Sequence, residues 1–382
     1  MPEPGVEVVW GALSRAWRKA QYEEELWLQF RPRGSKDVFD AVEAAVRVAN
    51  QEVEDAGWGD AVFAEGVSDS DAGPVALMSR AGPIEGVRAW LDAFARHLQA
   101  LGNSGKVTAA PQAFFPDWLS GEVELPRQLT AFVAYRTDDL TLLDEQERSM
   151  SWSVPAELTA KITDAATAWG RFDGADVYLL RSIHQTRTKN PDVGPTLADG
   201  AARFGQARVA YLRSEPRRLV WASLGTLGRT CYGVMDDTVS WQDRLAQVVR
   251  AMAAFPGDTD LAFVQYCNAL TPDWSELAAG RPLLPYVKES HIRYNRHLNA
   301  QYIADAHGLQ LLTDAHLAHA NDLSDWTIEP LGAGKHLVQA KDLKPWYATV
   351  DPAPETLAKA RADFGGMLLT PEIIAANPPP WR

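Results

Sequence analysis

The sequence runs to 382 residues, is 46% apolar and 23% charged, and carries a formal net charge of −13. That composition supports packed cores in two domains and excludes a disordered chain. The acidic balance argues against a sequence-independent grip on nucleic acid, which needs Lys and Arg to neutralise phosphates, and suits steering toward a basic protein partner.

Only two cysteines occur, Cys231 and Cys267, without a CxxC pair, so neither a disulfide framework nor a zinc finger is expected. Met1 to Trp10 lacks the basic and apolar regions of an export signal, and no run of about 18 apolar residues suggests a membrane span. The expected setting is cytoplasmic, away from membranes.

In chain order, Val9, Leu13, Ala16 and Trp17 predict a helix over residues 6–20, and the alternating segment Glu25 to Phe30 predicts a strand. Val38, Phe39, Val42, Ala45, Val46 and Ala49 mark one face of a helix that ends near Gly57. Strands follow at Ala61 to Ala64 and Val75 to Met78. A helix carrying Val87, Trp90, Leu91, Phe94 and Leu98 then leads to a strand at Lys106 to Ala110. This βαββαβ order is the ferredoxin-like arrangement. Leu129 to Tyr135 reads as a fifth strand, and the acidic stretch Asp138 to Pro155 as a domain boundary.

The second half reads similarly, with strands at Asp176 to Ile183, Arg208 to Leu212 and Leu219 to Leu224 and an extra one at Cys231 to Met235. Helices are expected at Leu197 to Phe204 and Val239 to Phe255, and a final strand at Leu261 to Tyr266. After each half's last strand comes a Pro-Asp-Trp triplet, Pro116, Asp117, Trp118 and Pro272, Asp273, Trp274, spaced 272 − 116 = 156 residues apart. The expected fold class is therefore α+β: tandem ferredoxin-like antiparallel sheets from an internal duplication, over residues 1–140 and 156–285. A C-terminal extension over 286–382 is expected to hold a hairpin around Gly332 to Gly334 and a helix from Glu355 to Phe364. It also repeats a short motif, Asp322, Leu323, Trp326 and then Asp342, Leu343, Trp346, which predicts paired anchoring points beside the hairpin.

Six of the eight histidines lie in that extension. His316 and His319, three apart, are expected on one helix face, where a metal would need His307 or Asp305 as a further ligand; no HExxH pattern supports one, and no metal or cofactor is expected. The segment Lys288 to Asn299 is locally basic and aromatic. Arg293 and Arg296 are its candidate anion clamps, with His291 and His297 as candidate general acid or base. Gly332, Ala333, Gly334, Lys335 lacks the spacing of a phosphate loop and is read as a hairpin turn. Trp118 and Trp274 are candidate interface anchors at equivalent corners.

Absent a coherent catalytic constellation, the sequence favours a non-enzymatic binding protein acting through protein–protein contacts. In its duplicated plan, acidity and Trp content it resembles, at the level of class only, small cytoplasmic proteins that neutralise toxins by binding them. The alternative is a hydrolase or transferase with a site built from His291, His297, His316 and His319. Oligomeric state is left open.

Overall fold

The computed structural model describes residues 5–23, 26–34, 37–68, 70, 72–110, 127–136, 154–181, 184–188, 193–225, 228–268 and 296–378. It is a mixed α+β fold with two sheets. The chain divides into two units, Met1–Ala113 with Leu180–Thr186, and Phe114–Leu179 with Arg187–Arg382.

The first unit runs β1 (Val6–Val8), α1 (Trp10–Glu23), β2 (Leu26–Pro32), α2 (Phe39–Asp55), β3 (Val62–Ser68), β4 (Val75–Ala81), α3 (Ile84–Ala100) and β5 (Gly105–Ala109). The expected helix at 6–20 is thus corrected at its start, because Val6, Glu7 and Val8 pair in parallel with Gly105, Lys106 and Val107. The sheet order is β1-β5-β2-β4-β3, and the β5–β2, β2–β4 and β4–β3 pairs are antiparallel. Val42, Ala45, Val46, Ala49 and Val53 of α2 recur at helical spacing and are buried with Val87, Trp90, Leu91, Phe94 and Leu98 of α3. They cover one sheet face through Leu26, Leu28, Phe30 and Met78.

Asn50 clasps these layers. Its Oδ1 accepts from Trp90 Nε1 (2.8 Å) and the Ala64 amide (3.1 Å), while its Nδ2 donates to Ala64 O (2.8 Å). This satisfies β3 where its register with β4 shifts around Ala64.

Further along the chain come β6 (Arg127–Tyr135), α4 (Ala156–Trp169), β7 (Asp176–Arg181), β8 (His184–Thr188), α5 (Gly194–Phe204), β9 (Ala207–Arg213), β10 (Arg218–Gly225), β11 (Arg229–Asp236), α6 (Trp241–Met252) and β12 (Thr259–Asn268). There follow β13 (Leu309–Thr313), α7 (Asp314–Leu317), β14 (Trp326–Gly332), β15 (Lys335–Ala340), α8 (Lys344–Tyr347), α9 (Pro354–Phe364) and α10 (Pro371–Ala376). The second sheet has the order β14-β15-β13-β12-β6-β11-β10-β9-β7-β8.

Three expectations are corrected here. The strand at 129–135 does not join the first sheet; β6 lies between β12 and β11, antiparallel to both. The strand at 176–183 does not take the place of a first strand in the second half, because β7 lies beyond β9. The C-terminal segment does not stand apart: β13 pairs with β12 through Ala262–Leu311 and Phe263–Gln310, and the β14–β15 hairpin continues the same sheet.

Helix α4 was not anticipated. It buries Leu158, Ile162, Thr163 and Ala166. Its last residue, Trp169, meets the Tyr232 ring edge-on at 5.3 Å, and the Tyr211 hydroxyl donates to Thr167 O at 3.0 Å. Trp169 Nε1 also donates to Gln247 O of α6 (3.4 Å), so α4 and α6 lie on the sheet face that carries Tyr211 and Tyr232. Among the described residues, no helix is long and apolar enough to cross a membrane.

Candidate functional site

The central strands of the second sheet are buried on both faces: residues 128–135 of β6 and all of β11 are inaccessible. Successive side chains on a strand point to opposite faces, so pairing register assigns every residue to one side. The side covered by α4 and α6 takes Leu129, Ala131, Val133, Val220, Val234 and Val264. It is mostly apolar, with Thr230, Thr259 and tyrosine hydroxyls among its polar groups and, toward one end, Arg213 and Arg218, the latter 2.9 Å from Asp236. Burial there pushes the Tyr232 hydroxyl up to about 12.

The other side differs. Arg208, Ser223, Cys231, Phe132, Phe263 and Gln310 stand abreast on successive strands from β9 to β13. The next row carries Trp221, Gly233, Thr130 and Gln265; Gln128 and Cys267 pair beyond it, and Arg229 precedes Cys231 by two positions on β11. Every residue named in these rows is buried. A β-carbon at Gly233 would lie 2.2 Å from both Cε2 and Nε1 of Trp221, so glycine lets the indole lie across β11. From there Trp221 Nε1 donates to Gln128 Oε1. Thr130 Oγ1 lies 3.0 Å from Cys267 Sγ, Phe132 stacks on Phe263 with centroids 5.1 Å apart, and His307 stacks on Phe263 at 4.1 Å.

Three glutamine amides on this face retain an atom without a hydrogen-bond partner: Nε2 of Gln128, Oε1 of Gln265 and Oε1 of Gln310. Their residues are 1%, 6% and 0% exposed. Gln310 Nε2 donates to His307 O at 3.2 Å, which leaves its oxygen directed elsewhere. An unmet buried amide atom costs about 1–3 kcal/mol.

The corresponding side of the first sheet provides a contrast. Gln29 lies among Trp27, Val75 and Leu77, donates to Ser70 Oγ (2.7 Å) and accepts from Arg31 Nε (2.9 Å). Ser70 Oγ passes the chain on to Gly73 O at 2.8 Å. The first unit satisfies its glutamine internally; the second does not.

The described candidate histidines, His297, His316 and His319, each have separate surroundings. His316 is fully buried and His319 is exposed, so they do not share a helix face. The reason is that α7 is only four residues long. His316 sits at its third position, where its amide donates to Thr313 Oγ1 (3.2 Å) and its Nδ1 accepts from the Thr313 amide (3.1 Å), a capping box closed by histidine. His319 stacks instead on Tyr302 with centroids 5.2 Å apart. His297 Nε2 lies 3.0 Å from Asn377 O, and His336 Nε2 lies 2.6 Å from Asp314 Oδ1.

Asp305 is engaged by Arg361 through two 2.8 Å contacts, which removes it as a companion ligand. Among the described residues, no group of three or more His, Cys, Asp or Glu can hold a metal ion. Trp118, Trp274, His291 and Arg293 lie outside the described residues. Arg296 opens a 3-10 turn that runs to Leu298.

The repeated Asp-Leu-x-x-Trp motif forms the same turn twice. Asp322 Oδ1 accepts from the Ser324 amide (2.8 Å) and Asp342 Oδ1 from the Lys344 amide (2.9 Å). The amides of Trp326 and Trp346 donate to Leu323 O and Leu343 O at 3.0 and 3.1 Å. The two indoles meet at 6.2 Å, and Trp326 packs on Phe364 at 4.5 Å. A cavity of about 290 Å³ beside them is lined by Lys359, which Asp325 and Asp363 hold at 2.7 and 3.0 Å.

Searches against protein-family models, curated proteins and solved structures find no match to this chain.

Proposed function

We propose that the chain is a binding protein made of two ferredoxin-like repeats, and that it holds its ligand on the side of the second sheet turned away from α4 and α6. The repeat reading is supported by strand order. In the first unit β2, β3, β4 and β5 lie in the order β5-β2-β4-β3; in the second, β6, β10, β11 and β12 lie in the order β12-β6-β11-β10, again with every neighbouring pair antiparallel.

Four elements of the second repeat, β10, β11, α6 and β12, start 154 to 157 residues after β3, β4, α3 and β5 (218 − 62, 229 − 75, 241 − 84 and 259 − 105). The first strand breaks that spacing, since β6 starts 127 − 26 = 101 residues after β2. The difference reflects the longer segment of α4, β7, β8, α5 and β9 between the first and second strands of the later repeat.

The observation that carries the binding reading is the set of three buried glutamine amides with an unmet atom. A face kept polar at a cost in stability is the mark of a site maintained for recognition. The test is replacement by an apolar side chain of similar size, in Gln265→Leu and Gln310→Leu. If the amides serve a ligand, the unliganded variants melt no lower than the parent. Loss of stability by more than about 2 kcal/mol in both variants would show the amides to be structural and end the proposal.

The net charge of −13 supports a second mode, contact of the acidic surface with a basic protein, of which neutralisation of a toxin is the narrower form. Such a complex should weaken steeply between low and physiological salt; a salt-independent affinity would remove this mode.

A further inference from the structure

We infer that the cavity between the two Asp-Leu-x-x-Trp turns takes an arginine side chain of a basic protein partner, which rests on the second mode above, contact of the acidic surface with such a protein. The hairpin is what builds the cavity. β14 begins at Trp326, β15 ends at Ala340, and these two residues pair, so turns 342 − 322 = 20 residues apart in the chain come to lie side by side. Asp325 O accepts from the Lys341 amide at 3.1 Å, one step beyond that pair. Helix α9 supplies a further wall. Asp363 Oδ2 accepts from Trp326 Nε1 (3.1 Å), and Asp363 O accepts from the Asn321 and Asp322 amides (2.9 and 3.0 Å), which fixes the first turn against the helix.

The floor is apolar and the opening is charged. Trp326, Trp346 and Ala360 line the cavity and are 6%, 6% and 2% exposed, whereas Asp325 and Asp342 line it and are exposed, so they stand at its mouth. Its volume of about 290 Å³ falls just below the roughly 300–1,000 Å³ of sites that enclose drug-sized ligands. One side chain suits that space better than a cofactor.

Three carboxylates and two ammonium groups line the cavity, and both cations are engaged. Lys359 Nζ lies between Asp325 and Asp363, and Lys341 Nζ donates to Ser324 O at 2.6 Å. Asp325 meets Lys359 through Oδ2, and Asp342 takes the Lys344 amide through Oδ1. That leaves Asp325 Oδ1 and Asp342 Oδ2 as acceptors without a hydrogen-bond partner among the described residues. An aromatic floor beneath spare carboxylate oxygens suits a side chain with a hydrocarbon stem and a cationic tip. Arginine fits better than lysine, because its planar, weakly hydrated guanidinium stacks on indoles and its fork serves two oxygens at once. A neutral aromatic side chain would fill the floor and leave those oxygens unused, and an acidic one would meet the surplus negative charge.

The experiment is NMR titration of the full chain, labelled at its indole nitrogens, with N-acetylarginine amide, N-acetylcitrulline amide and N-acetyltryptophan amide. Trp326→Phe and Trp346→Phe assign the two signals. The arginine probe is expected to shift both signals to saturation, and citrulline, which has a neutral urea in place of the guanidinium, to bind about tenfold more weakly. Asp342→Asn keeps an oxygen for the Lys344 amide and removes only the charge; it is expected to weaken the arginine probe about threefold, as befits an exposed carboxylate. Glu329→Gln makes the same change of charge on the exposed part of β14, outside the cavity, and is expected to leave the affinity unchanged.

Equal binding of citrulline, or tighter binding of the tryptophan probe, would overturn the choice of a cationic side chain. Absence of any shift at Trp326 and Trp346 would overturn the cavity as a site. Shifts spread over many indoles, with Asp342→Asn and Glu329→Gln weakening the probe equally, would show attraction by the acidic surface as a whole; that overturns the cavity and leaves the basic-partner mode in place. The salt dependence of a complex with a basic protein decides that mode separately.

Discussion

Protonation of His316 supplies the sharpest quantitative test of the fold. The imidazole is completely buried, and desolvation is the main reason its pKa falls from the ordinary value of 6.5 to about 4. The carbonyls of Tyr302 and Asn299 act in the opposite direction, while Lys335 and His319 add to the depression. Nε2 nonetheless has no hydrogen-bond partner of normal geometry, so those carbonyls do not overcome burial. Nδ1 accepts from the Thr313 amide, which fixes the neutral tautomer with its proton on Nε2.

A group whose folded pKa is depressed takes up its proton more readily in the unfolded chain. Its contribution to stability is therefore complete above about pH 7 and declines as pH falls through 6.5 toward 4. Between pH 7.5 and pH 5 the two values give a loss of about 2 kcal/mol, approaching about 3 kcal/mol below pH 4. The perturbation is His316→Asn, whose side-chain oxygen can take the place of Nδ1 toward Thr313 but does not titrate. Urea unfolding of parent and variant at both pH values cancels the other titrating groups, leaving the double difference. A variant that loses as much stability as the parent between pH 7.5 and 5 would refute the assignment.

Three further perturbations test the packing. Asn50→Ala removes bonds to Trp90 and to both backbone groups of Ala64, and is expected to cost about 3 kcal/mol in chemical denaturation; a cost below about 1 kcal/mol would show that the clasp is not needed. Gly233→Ala drives a β-carbon into Trp221 and is expected to destabilise by about 1–3 kcal/mol or more; Trp221→Leu should relieve much of it, so strict additivity in the melting temperatures of the double variant would contradict the contact. Arg361→Met strands the carboxylate of Asp305, which is 4% exposed, and is expected to cost about 3–5 kcal/mol near pH 7; adding Asp305→Leu should recover part of that, and a double variant less stable than the single would argue against the ion pair as the cause.

Local periodicity made much of the fold legible. The spacing of Val42, Val46 and Ala49 in α2, or of Leu245, Val248 and Met252 in α6, is a helical stripe that needs no tertiary knowledge. Helix α4 escaped because its interior relies on Leu158, Ile162 and Ala166 in a segment otherwise rich in Ala and Thr, which leaves only a thin stripe. The strand at β6 was visible, but its place in the molecule was not. Phe132 pairs with Phe263, 263 − 132 = 131 residues away, and no nearby residue records that pairing. Likewise the three-residue spacing of His316 and His319 suggested a shared helical face only because nothing in the local pattern limits α7 to a single turn.

The candidate site was illegible for a related reason. Gln128, Gln265 and Gln310 each interrupt a separate apolar run, and one polar residue in a buried strand reads as noise. Parity within a strand is a weak clue: Gln128 and Thr130 in β6, and Gln265 and Cys267 in β12, are two positions apart and so share a side. Only register unites the strands, and it also exposes the difference between the units. Gln29 closes its hydrogen bonds with Ser70 and Arg31 on one sheet, while the second sheet keeps three amides open and adds two arginines to the same side. If both units descend from one βαββαβ ancestor, this asymmetry is what remains when one copy is free to become scaffold and the other keeps a polar face at the expense of stability. The first unit should then tolerate apolar replacement of Gln29 poorly, because its partners would be stranded, whereas the second should accept leucine at Gln265 and Gln310 without loss of stability.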